Sequence, residues 1–297
     1  MIFSFLFIEL GRKYVESDPK ATYGIEDLFA IFNKRGYATL FQEDSCWYDK
    51  WGTLLEPRQR IGRVVNDSVI TQRWHSFLES IRQSGVRDVI DDYGMTFLTC
   101  TAYAHLHTTN IYDPQRFPNV CFKGRHYSSL LLEYAKKYAS ANDAGNGRPF
   151  ISYTHVLTSH ERNGRRIVND DATLADLLLK AARLRNTVTI LASDHGAKST
   201  RFSSHTVQGR QEVFQPLLFI IVPRNVALML GRDVMHSLVV NQKRLVGLED
   251  LHYALVSLQS VKGAGGAAQG LFQTLPRNRT CEDLKITSDV LCLCEGI

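Results

Sequence analysis

From Tyr23 onward, apolar residues recur in two alternating rhythms. In "YGIEDLFAIFNKRGYATLFQED", Ile25, Leu28, Phe29 and Phe32 fall three or four apart, the spacing that lines one face of an α-helix. Gly36 follows as a stop, and Tyr37 to Phe41 reads as a short strand ending in the polar trio Gln42, Glu43 and Asp44. Ile70 to Gln83 and Tyr127 to Tyr138 return to helical spacing, "ANDAGNGRP" is a surface loop, and Phe150 to Tyr153 reads as a buried strand. Asp170 or Asp171 is placed to cap a helix running to about Leu184. Thr187 to Ala192, apolar and β-branched, is the next strand and runs into Ser193-Asp194-His195-Gly196. Leu217 to Val222 is a further apolar strand closed by Pro223, and Glu249 to Leu258 is a helix.

Strands that alternate with helices predict an α/β fold, a mostly parallel sheet flanked by helices. Ligands of such sheets gather beyond the carboxyl ends of the strands, which is where Gln42-Glu43-Asp44 and Asp194-His195 fall. The stretch from Ser45 to Val120, with His75, His105 and His107, yields no clear role. Lys262 to Gly270, "KGAGGAAQG", reads as a flexible linker to a cysteine-bearing tail. The expected organisation is a non-native or truncated N-terminus over 1–22, an α/β domain over 23–261, and linker plus tail over 262–297.

Composition narrows the partners. The 297 residues are 44% hydrophobic and 22% charged, as in a globular protein. Thirty-five basic against thirty acidic residues leave +5, without a long basic run or interleaved aromatics. That excludes a nucleic-acid footprint and suits an anionic ester or glycan-type substrate. The apolar run Ile2 to Ile8 is far short of the roughly 20 residues that span a bilayer, so no transmembrane segment is expected. No basic residue precedes the run and no cleavage site follows it, so no signal peptide is expected in this stretch. Other marks point to the secretory pathway or the extracellular space. Asn66-Asp-Ser68 and Asn278-Arg-Thr280 are glycosylation sequons, and Cys281, Cys292 and Cys294 crowd the tail. Cys292-Leu-Cys294 lacks the ligands and spacing of a zinc site, so disulfides are the better reading, with Cys281 paired to Cys292 or Cys294.

Adjacent Asp194 and His195 offer a hard oxygen and an imidazole nitrogen to one divalent ion, and Gly196 permits a tight turn. Taken alone, the tripeptide reads equally as a capped polar turn. His205, ten residues on, is a candidate third ligand across the loop. Lys198 and Arg210 are candidates for binding a phosphate or sulfate oxygen.

"VTILASDHG", then "TVQGRQEVFQPLLFIIVP", preceded by "FISYTHVLTSH" and "DDATLADLLLKAARL", resembles the metazoan sulfatase-like family known as domain of unknown function 229. "GYATLFQED", "RNRTCEDL" and "CLC" extend the resemblance from Tyr23 to Cys294. That family is placed in the alkaline-phosphatase-like superfamily, and the resemblance implies that the sheet is doubly wound. The resemblance implies metal-assisted cleavage of phosphate or sulfate esters, with Asp194 and His195 as ligands of a divalent ion such as zinc, calcium or manganese. It also implies that His160, in "TSH", faces the substrate, although Glu161 stands where the family commonly has Asp. The superfamily's first-strand acid and its nucleophile find no counterpart. "CWYDK", "CTAYA" and "CFKGR" all depart from the sulfatase C-x-P-x-R signature, and Glu9 is a poor substitute for the acid. Both groups are expected upstream in an intact protein. Two functions are therefore expected in contest: a secreted metal-dependent ester hydrolase or transferase, and a non-catalytic extracellular binding module that keeps the fold.

Overall fold

The computed structural model describes residues 2–4, 25–46, 71–72, 74–76, 79, 90–106, 108, 121–143, 148–158, 166–198, 200–258 and 269–286. Its main sheet has five strands: β1 (Ile2–Ser4), β2 (Ala38–Glu43), β5 (Phe150–His155), β6 (Thr189–Ala192) and β7 (Leu218–Ile221). Their order is β2-β5-β1-β6-β7. The first four run parallel, and β7 pairs antiparallel with β6. A separate hairpin joins β3 (Cys121–Phe122) to β4 (Arg125–His126). The four strands expected from the sequence thus share one sheet, and the fold is mixed α/β with a small parallel sheet. Ile2–Ser4, from the apolar run at the start of the chain, is the central strand between β5 and β6.

Side chains alternate across each strand, which divides the sheet into two faces. Phe41, Ile151, Tyr153, Ile190 and Ala192 point to one core with Phe29 and Phe32 of α1 (Ile25–Asn33). Leu251, Ala254 and Leu255 of the late helix Leu248–Leu258 complete that core. Both phenylalanines of α1 are fully buried, and such burial stabilises by about 1.5–3 kcal/mol per ring. The helix ends because Gly36 adopts φ 82°, the left-handed conformation that glycine enters without strain. On the opposite face Phe150 packs with Leu132 and Ala139 of α3 (Tyr127–Asn142) and Leu177 of α4 (Asp171–Ala181). Helices therefore cover both faces.

The strand read as Tyr37 to Phe41 runs on to Glu43, because Gln42 and Glu43 pair in register with Thr154 and His155. Gln42 is structural: its amide donates to Leu131 O and Thr154 Oγ1, and its Oε1 accepts from Met95 N. The outer edge of β2 is covered by Asp91 and Asp92, whose backbone bonds Thr39 and Phe41. Within the stretch that gave no reading, α2 (Thr96–His105) packs its Cys100 under β2, in a disulfide with Cys46. Thr71, Gln72, Trp74, His75, Ser76 and Glu79 are helical, in keeping with a helix over Ile70 to Gln83. Gly270 is no slack linker residue. At φ 57° it opens a 3-10 turn against the late helix, where a Cβ would collide with Asp250 O.

After β6 the chain passes through α5 (Arg201–His205) and α6 (Val207–Phe214) before β7. It continues through α7 (Arg224–Leu230) and α8 (Arg232–Asn241) to α9, the late helix Leu248–Leu258. Among the described residues no helix is long and apolar enough to cross a membrane.

Candidate functional site

Because β2, β5 and β6 are parallel, their carboxyl ends open on one edge. Polar residues concentrate there. β6 delivers Ser193, whose backbone N–H donates to Leu217 O and whose Oγ accepts from Leu217 N, so the exit of the strand is pinned to β7. Asp194 follows, with Oδ1 accepting from His195 N at 2.9 Å. His195 Nδ1 lies 2.6 Å from Gly196 O, and since a carbonyl can only accept, Nδ1 carries the proton. Nε2 then stands 3.5 Å from Asp194 Oδ2. Gly196 donates its N–H to Val213 O, and a Cβ there would run into the backbone of Glu212. Glycine thus lets α6 close directly on the turn.

Two buried carboxylates stand at the end of β2. Glu43 is fully buried, its carboxylate 3.7 Å from His155 Nδ1 at the end of β5. Asp44 is fully buried as well, and both its oxygens lie 2.8 Å from Leu157 N while Oδ2 accepts from Ser128 Oγ. Burial drives its pKa up to about 7; His155, the Leu157 N–H and Ser128 oppose the shift, and Glu43 adds to it. Between these carboxylates and β6 lies Tyr153, stacked on Phe41 at 5.4 Å. Burial, then Glu43, then Asp194 push its phenol well above the usual range, so it remains a neutral donor. Its hydroxyl is buried without a hydrogen-bond partner among the described residues. The electrostatic influence of both Glu43 and Asp194 on one phenol ties the ends of β2 and β6 into a single environment.

A further buried set lies at the first turn of α3. Of the two candidate caps of α4, Asp170 and Asp171, it is Asp170 that occupies the cap position, yet its backbone is helical and its side chain makes no capping bond. The 3-10 turn Arg166–Asp170 runs straight into α4, which turns the carboxylate inward. Its Oδ1 instead accepts from Ser129 Oγ at 2.8 Å and His126 Nδ1 at 3.0 Å. Burial pushes the Asp170 carboxyl up, but the bonds with His126 and Ser129 outweigh it and hold the carboxyl below its usual range. Consecutive serines at the start of α3 thus each serve one buried carboxylate, Ser128 for Asp44 and Ser129 for Asp170.

The structure brings Asp194 and His195 together and leaves the other expected site residues apart or undescribed. His205 is exposed on α5, with Nδ1 bonded to Arg201 O of its own helix. Lys198 and Arg210 are exposed. His160, Glu9, Asn66, Cys292 and Cys294 lie outside the described residues. Asn278 is exposed in a turn, and Cys281 is disulfide-bonded. Among the described residues no three of His, Cys, Asp and Glu form a group able to hold a metal ion. Reading the sequence missed His155 and the Asp170–His126–Ser129 set. A polar residue closing the apolar strand "FISYTH" was the available signal for His155. Nothing local marks the other three, because Asp170 lies more than forty positions from His126 and Ser129.

The chain belongs to the family described as "Protein of unknown function (DUF229)", whose family model matches residues 82–297. No curated protein and no solved structure matches the chain.

Proposed function

We propose that this DUF229 chain is a sulfatase-like, alkaline-phosphatase-like protein of the secretory pathway, built around a divalent-metal site for cleaving phosphate or sulfate esters. The observation that carries this reading is the pairing of Asp194 and His195. With Nδ1 donating to Gly196 O, Nε2 is the ring nitrogen that stands beside a carboxylate oxygen, 3.5 Å from Asp194 Oδ2. Two acceptors that close invite a proton or a cation, and an oxygen with an imidazole nitrogen suits zinc or manganese, with calcium favoured only if more oxygens join. Asp194 and His195 would hold the ion, and the ion would supply Lewis-acid stabilisation of charge on the ester centre.

The surrounding residues support the same reading. Tyr153 offers a neutral, buried O–H beside Asp194 without an acceptor of its own, a group suited to steadying an oxyanion. The net charge of +5, with Lys198 and Arg210 exposed after the strand, favours an anionic substrate. The Cys46–Cys100 disulfide fits an oxidising compartment.

Calorimetric titration of zinc, calcium and manganese into the protein and into Asp194→Ala tests the proposal. Binding that is lost or weakened at least tenfold in the variant is expected. Equal binding by both proteins, or none by either, refutes the metal site and leaves a non-catalytic binding module as the reading.

A further inference from the structure

A second set of reactive groups is assembled where the β3–β4 hairpin meets the start of α3, independent of the strand-end site. The hairpin turns through Lys123 and Gly124 at φ 48° and 76°, which sets Cys121 directly opposite His126. Opposed residues project from the same face of a hairpin, with Cβ atoms about 4.5–5.5 Å apart. Cys121 is an exposed free thiol. His126 is the reverse: its side chain is 5% exposed, and Nδ1 lies 3.0 Å from Asp170 Oδ1. A carboxylate accepts, so Nδ1 holds the proton, and in the neutral ring the lone pair sits on Nε2. That nitrogen is buried with no hydrogen-bond partner among the described residues. A histidine serving only to fill the core would be expected to satisfy both nitrogens, because an unpaired buried acceptor is costly. Asp170 is held in turn by Ser129 Oγ, which fixes the ring from behind.

We propose that Cys121 is a nucleophilic thiol, with His126 as its general base and Asp170 as the residue that positions the imidazole, and that it takes up a small anionic disulfide of the glutathione type. The cross-strand register puts the two side chains on one face, and rotation of Cys121 about χ1 is the motion that would carry its thiol toward Nε2. As the Cys121 S–H gives its proton to Nε2, the sulfur attacks one sulfur of the disulfide. A new S–S bond forms, the old one breaks, and the departing thiolate takes the proton back from Nε2. Cys121 is oxidised to a mixed disulfide, and one equivalent of the small disulfide is reduced to one thiol. Lys123, which lies over the exposed Phe122 ring at 5.6 Å, provides a cation for the carboxylates of the incoming molecule.

The test exposes the full chain to glutathione disulfide, and separately to iodoacetamide, at neutral pH, with peptide mass mapping that reads Cys121 alone. Native Cys121 should react roughly tenfold or more faster than the same cysteine in urea-unfolded protein. His126→Asn keeps a donor toward Asp170 but removes Nε2, and should slow native Cys121 by a similar factor without moving the thermal midpoint. Equal or slower reaction of native Cys121 relative to the unfolded chain overturns the proposal, whether or not the variant folds. So does an unchanged rate in a folded His126→Asn protein.

Discussion

Asp44→Asn should make the protein more stable at neutral pH, contrary to the usual outcome of changing a buried polar residue. Asp44 is fully buried, and its pKa is raised from 3.8 to about 7 in the folded chain. The unfolded carboxyl therefore ionises first as pH rises. Below pH 3.8 both states are protonated and the group contributes no penalty. Between there and pH 7 folding progressively forces a proton onto, or a buried charge into, a site that water would solvate. Three pKa units at about 1.4 kcal/mol each give a loss of roughly 4 kcal/mol, complete above pH 7. The asparagine amide retains an acceptor for Leu157 N and a polar group for Ser128, so the main change is removal of this penalty. Urea denaturation of both proteins from pH 4 to pH 8, with the disulfides kept oxidised, measures the difference directly. The two should be similar near pH 4, and the variant should lead by about 2–4 kcal/mol at pH 8. A difference independent of pH, or a variant that loses ground as pH rises, refutes the argument and means that His155 and the Leu157 N–H solvate the charge fully.

Three further outcomes are expected. Gly196→Ala forces a methyl against the backbone of Glu212, so α6 must retreat, at a cost of about 1–3 kcal/mol in chemical denaturation and with weaker metal binding in calorimetry. Cys46→Ser with Cys100→Ser opens a loop of sequence separation 54, and should lower stability by about 4 kcal/mol in the chain-entropy account, read as a drop in urea midpoint. Gln42→Leu strands Leu131 O, Thr154 Oγ1 and Met95 N in the interior, and should lower the melting temperature by several degrees, more than an exposed Gln→Leu change such as Gln208→Leu.

Local patterning alone determined much of this protein. Helical spacing located α1, α3 and α9, apolar and β-branched runs located β2, β5, β6 and β7, and the polar residues closing β2 and β6 marked the edge where the candidate site lies. These features are legible because each is set by neighbours within a few positions: an apolar stripe, a glycine with positive φ at Gly36, a strand ending in Asp194-His195. Only the tertiary structure decided the rest. β7 runs antiparallel because α5 and α6 return the chain beside β6, and strand direction leaves no trace in an apolar run such as "LFII". Asp170 carries the same sequence signal as a helix cap, yet a 3-10 turn delivers it inward to His126 and Ser129, forty-four and forty-one positions away. Glu43 meets His155 only because β2 and β5 are in register. Whether a carboxylate caps, titrates or orients a histidine depends on its burial and on partners remote in the chain, and those are properties of packing rather than of local sequence.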